Sequence, residues 1–242
     1  MDAEVNLSRN QRPLYLQIKN ILKDRILHGV YPIKANIPSE PQLEKEFEVS
    51  KITIRNAIKE LCQEGYLEKG SGKRTKVIRN TATSKLSTWK RFTELLVEEG
   101  NQVQKQLLQV EVIMTEEGTE PHQLFGAQCV RIERLYSLNN VPYTHYTHYL
   151  TMRIGGEIDQ WELNAQSLYE WLEEQEITLA KYRDHFAVAF ASPLVEEKLR
   201  VQEKTPLLKR LRYSYDETDE VIEYSEGFYN TGMHSYIVNY NV

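Results

Sequence analysis

Basic and hydroxyl side chains that could contact a polyanion are concentrated in the run Lys51-Ile52-Thr53-Ile54-Arg55-Asn56. An arginine guanidinium can bridge the edge of a guanine with two hydrogen bonds. A threonine can contact a phosphate or the methyl group of a thymine. The run could therefore read DNA, provided that a helix turns these side chains outward together. The surrounding sequence must supply that helix and the elements that hold it.

Two helices are predicted before this run. The apolar residues of the first have helical spacing and stop before Gly29: Leu14, Ile18, Ile21, Leu22 and Ile26. The second begins after Ser39, which forms a capping-box pattern with Gln42, and continues to about Phe47. A break of two residues then separates it from the run that begins at Lys51.

The run itself is predicted to lie on a third helix, which Ser50 caps and which ends at Gly65. Its inward face consists of Ile54, Ala57, Ile58 and Leu61. Its outward face carries Lys51, Thr53, Arg55 and Asn56. Two helices joined by a tight turn, with basic and hydroxyl side chains early in the second, are typical of a helix-turn-helix that inserts into the major groove.

A basic, glycine-rich hairpin tip follows the third helix. Residues 66–68 and 76–78 are predicted strands, joined by Lys69-Gly70-Ser71-Gly72-Lys73-Arg74-Thr75. Glycines allow the backbone to approach a phosphate or the minor groove, and Lys73 and Arg74 supply neutralising charge. Such a tip in isolation is more often a flexible solvated turn. Its position directly after a helix-turn-helix favours a DNA-binding wing.

Taken together, these motifs resemble the DNA-binding domain of the GntR regulators over nearly all of residues 11–78. The matching motifs are Pro13-Leu14-Tyr15, Ile37-Pro38-Ser39-Glu40, Val49-Ser50, Thr53-Ile54-Arg55, Glu64-Gly65-Tyr66-Leu67 and Gly72-Lys73-Arg74-Thr75. The resemblance implies DNA contacts from Ser50, Lys51, Thr53, Arg55, Ser71 and Gly72, and the remainder of the tip adds Lys73, Arg74 and Thr75. Pro41 stands where the family usually has a base-reading arginine. We therefore expect weaker or shifted base readout at that end of the half-site.

The charge of the chain is divided unevenly. Residues 1–80 contain 15 Lys and Arg against 10 Asp and Glu, whereas residues 81–242 contain 15 against 25. A small basic domain joined to a larger acidic one is expected when only the first domain meets a polyanion. We predict a winged helix-turn-helix domain over residues 1–78, a polar linker over 79–86 and a second domain over 87–242.

Several functional classes are disfavoured by the composition. The chain has no long apolar run and begins with polar residues, so we expect a soluble cytoplasmic protein without a membrane partner. Cys62 and Cys129 are isolated, which indicates a reducing compartment and core positions. His145 and His148 would point to opposite faces of a strand, which opposes a shared metal, and surface or packing roles are expected for them. No metal and no cofactor is expected.

The second domain is predicted to be an α+β unit built on a mainly antiparallel sheet. Its strands are expected at 103–114, 129–138, 142–150, 179–190, 206–216 and 221–228, with a last one near 236–241. Helices are expected around Phe92 to Val97, over 167–174 and over 193–200, and turns at Asn139-Asn140 and 217–220. If the helices cover one face of the sheet, the other face can hold a ligand.

This second domain resembles the UTRA effector domain of the HutC-type subfamily of GntR regulators. The resemblance rests on Trp89-Lys90-Arg91-Phe92-Thr93-Glu94-Leu95, Arg134-Leu135, Val141-Pro142, Tyr149-Leu150, Ser167-Leu168-Tyr169, Thr205-Pro206-Leu207-Leu208 and Glu223-Tyr224-Ser225. It implies a fold similar to chorismate lyase, a homodimer, and a sensor of sugar phosphates or related metabolites. A fold shared with an enzyme does not itself imply catalysis.

The positions that bind effector in this subfamily are occupied here by Arg91, Phe92, Thr93, Arg134, Tyr136, Tyr146, Ser167, Tyr169, Glu223 and Tyr229. Tyr136 and Tyr146 stand where a second arginine and a glutamate are usual, and Asn230 and Gly232 replace an arginine and an aspartate. Arg134 and the free N–H groups at the helix start near Arg91 are suited to an anion. Glu223 either hydrogen bonds to the ligand or pairs with a cation on a neighbouring strand.

These features predict a DNA-binding transcription regulator, a repressor, that binds a palindromic operator as a homodimer. An anionic sugar derivative would control it by ordering the segment at Arg91 to Thr93, which follows the linker. One alternative is a chorismate-lyase-like enzyme domain tethered to DNA, although no catalytic motif is recognised. Another is a nucleoid or RNA-binding module without a ligand.

Overall fold

The structure is a computed structural model that describes residues 7, 13–70, 74–80, 92–154, 158, 160–165 and 167–238, with the backbone alone for residues 92–94, 161, 162 and 165. Within these residues, no helix is both long enough and apolar enough to span a membrane.

The first domain has the predicted helices and strands. Helix α1 (Leu14–Leu27) packs on α2 (Glu40–Phe47) and α3 (Lys51–Gln63), and strands β1 (Leu67–Lys69) and β2 (Thr75–Val77) pair antiparallel. Its core contains Ile18, Leu22, Leu43, Phe47, Ile54 and Leu61. The predicted caps are present: the Ser39 N–H donates to Gln42 Oε1 at 2.9 Å, and the Thr53 N–H donates to Ser50 Oγ at 3.4 Å. These caps fix the start of the two helices that form the helix-turn-helix.

The second domain is built on one six-stranded antiparallel sheet. Its elements in chain order are α4 (Phe92–Glu98), β3 (Val103–Met114), α5 (Glu120–Phe125), β4 (Gln128–Leu138), β5 (Val141–Leu150), α6 (Gln160–Ala165), α7 (Leu168–Glu174), β6 (Lys181–Phe190), α8 (Pro193–Leu199), β7 (Pro206–Tyr215) and β8 (Val221–Tyr229). The strand order is β3-β4-β5-β8-β7-β6, so β3 and β6 are the edges. The six main strand predictions are confirmed.

The second domain contains two short helices that were not predicted from the sequence. The strand predicted near 236–241 is absent from residues 236–238. Helices α5 and α6 have six residues each, fewer than two turns, so their sequences show no helical period. Residues 236–238 form no strand, and 239–241 lie outside the described residues. Tyr236, which suggested the strand, instead packs its ring on Tyr229 and Phe186, with ring centroids 4.9 and 5.3 Å apart.

Helices cover both faces of the sheet, which corrects the expectation that they cover one. Helix α8 packs on one face through Val195 and Leu199, which join Leu207 in a buried cluster; we call this the α8 face. Helices α6 and α7 pack on the opposite face through Leu163, Leu168 and Trp171, over Val130, Ile132 and Leu150. That second face also carries Arg134, Tyr146 and Glu223, and we call it the site face.

The first domain contacts the second mainly through α1. Lys23 Nζ lies 3.0 Å from Glu170 Oε1 on α7, and Asp24 Oδ1 lies 2.6 Å from Lys105 Nζ on β3. The Val103 N–H donates to the His28 carbonyl at 3.1 Å. Burial would raise the pKa of Asp24, but His28 and Lys105 hold it well below its usual value. Contacts between the domains therefore include buried charge as well as backbone hydrogen bonds.

Candidate functional site

The first candidate surface is the outward face of α3. Lys51, Arg55 and Asn56 are exposed and Thr53 is half-buried, as predicted. Ile52 lies beside them with 63% of its surface exposed, and it was not among the predicted DNA contacts. A large apolar side chain on this face suits contact with a thymine methyl group. The sequence does mark Ile52, because it is an apolar residue that falls outside the helical spacing of the buried residues of α3.

Glu40 at the start of α2 holds the side chain of Arg55. Arg55 Nε donates to Glu40 Oε2 at 2.8 Å, and Lys69 Nζ donates to Glu40 Oε1 at 2.7 Å. The hydrogen bond from Lys69, together with that from Arg55, lowers the pKa of Glu40. Glu40 therefore orients two cations from α3 and β1 on one side of the domain, where a phosphate backbone would meet them.

The hairpin tip lies only partly within the described residues. Ser71, Gly72 and Lys73 are outside them, and Arg74 is exposed immediately before β2. Thr75 is buried, and its carbonyl accepts the Ile37 N–H at 3.0 Å. The Thr75 side chain is therefore not presented at the surface, so a DNA contact there would come from the backbone.

The site face carries the second candidate site, arranged in rows across the sheet. One row joins Arg134, Tyr146, Gly227 and Arg210, which are directly opposite one another on β4, β5, β8 and β7. The adjacent row joins Ile132, His148, Ser225, Arg212 and Asp184. Because directly paired residues share a face, the register alone brings these polar side chains together.

Glu223 is the buried carboxylate of this site. It accepts hydrogen bonds from His148 Nδ1 at 2.8 Å, from Tyr169 at 3.5 Å and from the Ser214 hydroxyl. Although burial opposes ionisation, His148, Ser214 and Arg212 lower the pKa of Glu223 to about 2. Glu223 is therefore an ionised acceptor for side chains from β5, α7 and β7, and its contact with a ligand stays a prediction.

His148 takes part in the site rather than serving only as a packing or surface residue. It lies on the site face, whereas His145 lies opposite Phe228 on the α8 face, so the two point apart as predicted. Burial lowers the pKa of His148, although its contact with Glu223 opposes that effect. The imidazole is accordingly mainly neutral at pH 7 and can donate or accept a hydrogen bond.

Arg134 is almost completely buried, and its Nη2 donates to the Leu163 carbonyl on α6 at 2.6 Å. Among the described residues, no carboxylate lies within ion-pair distance of Arg134. A buried guanidinium whose one hydrogen bond within the described part of the chain goes to a carbonyl is a suitable partner for an anion.

Tyr146 crosses the middle of the site face because Gly227 leaves room for it. A Cβ atom at Gly227 would lie 2.5 Å from Tyr146 Cε1. The Tyr146 hydroxyl contacts that of Tyr229 and accepts a hydrogen bond from Arg210 Nη2 at 2.7 Å. Its ring stacks on His148 with centroids 5.3 Å apart. The glycine thus allows an aromatic side chain from β5 to reach a cation on β7.

Sequence reasoning missed Arg210 and Arg212. Arg212 is paired with Asp184 at 2.7 and 2.6 Å and contacts the Tyr169 hydroxyl at 3.3 Å. The signal was available, because two arginines separated by one residue in the predicted strand 206–216 must share a face.

Other predicted effector residues are placed to different degrees. Tyr136 lies on the site face with its ring edge toward Tyr146, 5.6 Å between centroids, and Ser167 caps α7. Phe92 and Thr93 are the first residues of α4, with only their backbone described, and Arg91 lies outside the described residues. The role expected of the segment Arg91 to Thr93 therefore stays a prediction. The linker at 79–86 also stays a prediction; its first residue, Arg79, packs on the Tyr66 ring of the first domain.

Two family models match this chain. The model described as "Bacterial regulatory proteins, gntR family" matches residues 14–77, and that described as "UTRA domain" matches residues 98–235. The first match covers the helix-turn-helix and wing, and the second covers nearly all of the sheet domain.

Individual proteins also match this chain. The chain is 31% identical to the HTH-type transcriptional regulator YurK of Bacillus subtilis over 67% of this chain and 68% of that protein. It is 25% identical to the "Probable fructoselysine utilization operon transcriptional repressor" of Shigella flexneri over 89% of each chain. The crystal structure of the "possible transcriptional regulator YydK" of Bacillus subtilis shares the fold, with a TM-score of 0.52, 19% identity and coverage of 94% and 99%.

Proposed function

Because the chain belongs to the GntR family of bacterial regulatory proteins, as a DNA-binding transcriptional repressor with a UTRA effector domain, we propose that an anionic sugar derivative bound on the site face controls its binding to a palindromic operator. Its relatives are named as transcriptional regulators, and the chain is a regulator rather than an enzyme. The effector is held by Arg134, Glu223 and the tyrosines around them, and the operator by α3 and the wing.

The single observation that carries this proposal is Arg134, a buried guanidinium without a carboxylate partner among the described residues. Leaving a buried charge unpaired costs several kcal/mol. An anionic group of the effector would supply the missing charge. The neighbouring Glu223, His148 and tyrosine hydroxyls suit the hydroxyl groups of a sugar, and the name of the Shigella relative refers to the use of a sugar-containing compound.

The route from effector to DNA runs through Glu170 in this proposal. Ser167, an expected effector contact, donates from its Oγ to Glu170 Oε2 at 3.1 Å. The other oxygen, Oε1, lies 3.0 Å from Lys23 of α1. An effector that takes the Ser167 hydroxyl removes one partner of Glu170 and changes its ion pair with the DNA-binding domain.

A homodimer would form through the edge strand β6. On this strand Phe186, Val188 and Phe190 expose 46%, 77% and 63% of their surfaces, and all three lie on one face. A row of exposed apolar side chains on a sheet edge favours contact with another chain. A second copy fits because a palindromic operator needs two domains related by a two-fold axis.

The function is tested by selecting operators from a random DNA library and titrating the selected DNA with a panel of sugar phosphates and sugar acids. We expect a palindromic site and at least one compound that changes operator affinity by roughly 5- to 150-fold, a typical allosteric coupling. Arg134→Met should lose the response to that compound and retain operator binding. A regulator that selects no sequence, or an effector that binds equally well to Arg134→Met, would disprove the proposal.

The route and the dimer have separate tests. Glu170→Gln should keep effector affinity and reduce the effect of the effector on operator affinity. Val188→Glu should convert a dimer into a monomer in sedimentation velocity, whereas Val112→Glu on the opposite edge strand should not. A monomeric wild type, or equal behaviour of the two variants, would count against β6 as the interface.

A further inference from the structure

Four buried polar atoms on the site face have no hydrogen-bond partner in the described part of the chain. They are Arg134 Nε, His148 Nε2, Arg210 Nε and Ser225 Oγ. All four belong to the two adjacent rows of the site face. Buried polar atoms are nearly always hydrogen bonded, so a group of unmet atoms on one face indicates where a polar ligand sits.

Arg210 shares with Arg134 the lack of a carboxylate partner among the described residues, and unlike Arg134 it is not assigned to a ligand by the proposed function. It is only 7% exposed, and no carboxylate of the described residues lies within ion-pair distance of it. Its hydrogen bonds go to the hydroxyls of Tyr146 and Tyr236, at 2.7 and 3.2 Å. The rings of Tyr146 and Tyr229 lie 5.3 and 5.7 Å from its guanidinium carbon. Neutral hydroxyls and rings satisfy the guanidinium only in part.

Arg212, two residues further on the same strand, provides the contrast. Asp184 binds it with both carboxylate oxygens, at 2.7 and 2.6 Å. Both oxygens of Asp184 are therefore engaged with Arg212, although Arg210 is close enough to contribute to the lowered pKa of Asp184. Among the described residues, Arg212 has a carboxylate partner and Arg210 has none.

Arg210 also lies apart from Arg134. Their strands, β7 and β4, are separated by β8 and β5, so the backbones are three strand spacings apart, about 14 Å. Arg134 bonds to Leu163 on α6, whereas Arg210 bonds to Tyr146 and Tyr236. The two guanidinium groups therefore have different surroundings at opposite ends of the row.

We propose that Arg210 binds a second acidic group of the effector, so that the effector carries one anionic group for each end of the row. The inference rests on the proposed function, in which Arg134 takes the first anionic group. The chemical class is a sugar or sugar-alcohol phosphate that also carries a carboxylate at its other end. Tyr146 and Gly227 lie between the two arginines in the row itself. His148 and Ser225 lie on the same two strands in the adjacent row, with Glu223 in the row beyond, and their polar groups suit the hydroxyl groups of the carbon chain between the two acids.

The test uses three compounds with the same carbon skeleton: 6-phospho-D-gluconate, which has both acids, D-glucitol 6-phosphate, which has only the phosphate, and D-gluconate, which has only the carboxylate. Their affinities for the full-length protein are measured by isothermal titration calorimetry. We expect 6-phospho-D-gluconate to bind about 10- to 100-fold more tightly than D-glucitol 6-phosphate, the gain typical of a charge-assisted contact. D-Gluconate should bind more weakly than 6-phospho-D-gluconate.

Three variants test whether Arg210 is responsible for the tighter binding of 6-phospho-D-gluconate. Arg210→Met should reduce the ratio of the two affinities to about one and leave the affinity for D-glucitol 6-phosphate near that of wild type, which also shows that the variant is folded. Arg210→Lys should keep part of the ratio. Lys209→Met removes a positive charge from the same strand on the α8 face, where it pairs with Glu226 at 2.9 Å, and should keep all of it.

Equal affinities of the two phosphates for the wild type, including no binding of either, would overturn the inference. A ratio that survives Arg210→Met would do so as well. Failure of the proposed function has a different signature, because there Arg134→Met would leave the response of operator binding to sugar phosphates unchanged whatever Arg210→Met does.

Discussion

The exposed face of α3 and the site face of the sheet both carry arginines and hydroxyl groups, but in different surroundings. Arg55 on α3 is exposed and is oriented by Glu40, which also binds Lys69. Arg134 and Arg210 on the sheet are buried, and neither has a carboxylate partner among the described residues. Substitutions on the α3 face should therefore cost little folding stability. The arginines of the site face are part of the core, so substitutions there should cost more.

The largest effect in this comparison is expected from removing the buried carboxylate. Glu223→Ala leaves His148, Ser214 and Tyr169 without their acceptor, and we expect the free energy of unfolding to fall by about 3–5 kcal/mol, because each buried donor left unsatisfied costs about 1–3 kcal/mol. Urea unfolding monitored by circular dichroism measures it. The control is Glu226→Gln on the α8 face, which removes the ion pair with Lys209 but keeps an acceptor for the Tyr224 hydroxyl and should cost less than about 1 kcal/mol. Equal losses would remove the distinction between the two faces.

A smaller effect is expected from filling the space above Gly227. Gly227→Ala places a methyl group against the Tyr146 ring, and overpacking of this kind costs about 1–3 kcal/mol. The Tyr146→Ala substitution, which removes the ring, should make Gly227→Ala nearly neutral in the double variant. A double-mutant cycle in urea measures the coupling. Independent, additive losses would show that the glycine does not serve to admit the tyrosine.

The third expected effect is a loss of stability in mild acid. Burial lowers the pKa of both His145 and His148 below 6.5, so the unfolded chain binds protons that the folded chain does not. Stability is then greatest above pH 6.5 and falls as the pH drops toward the lower folded values, by up to about 1.4 kcal/mol per pH unit for each histidine. Unfolding from pH 7.5 to 5 measures the slope, and His148→Gln should reduce it. A flat profile over this range would contradict the buried, neutral state of these histidines.

The smallest effect on stability is expected on the α3 face. Arg55→Ala should change the free energy of unfolding by no more than about 0.5 kcal/mol, because the residue is exposed and Lys69 still pairs with Glu40. The same variant should lose about 1–3 kcal/mol of operator binding and relax selectivity at one base pair. Lys73→Ala should instead weaken binding to all DNA. Gel-shift titrations with operator and scrambled DNA separate these outcomes, and unchanged operator binding by Arg55→Ala would show that α3 is not the recognition helix.

The two regions also differ in how well the sequence predicts them. The helix caps Ser39 and Ser50 and the period of Ile54, Ala57 and Leu61 are local signals, and they predicted the helix-turn-helix and its outward face. The strands were predicted from alternation and turns, including Asn139 and Asn140, whose positive φ angles fit a two-residue hairpin. The alternation of apolar and polar residues does not predict the order of the strands in the sheet.

The partners of the site residues depend on that order. Arg210 lies beside Tyr146 only because β8 lies between β5 and β7, and Glu223 meets His148 for the same reason. The resemblance to the UTRA domain predicted Arg134 and Glu223 as site residues, but it did not predict Arg210 of β7. The contacts of Arg210 with Tyr146 and of Glu223 with His148 join residues more than 60 positions apart, and local spacing cannot reveal them.

The contacts of α1 with the second domain bear on the modular exchange of domains. Regulators are often treated as interchangeable units joined at a linker, yet Gly29 adopts φ +79°, and a Cβ there would lie 3.1 Å from the Asn101 carbonyl oxygen and from Val97. This close approach and the ion pair between Asp24 and Lys105 show that α1 and the residues after it are complementary in shape and charge to the second domain. A chimera that joins this DNA-binding domain to a foreign effector domain would have to transfer the matching surface around Asn101 and Lys105 as well. Recombination at residues 81–91 alone would give a protein that binds DNA without responding to its new ligand.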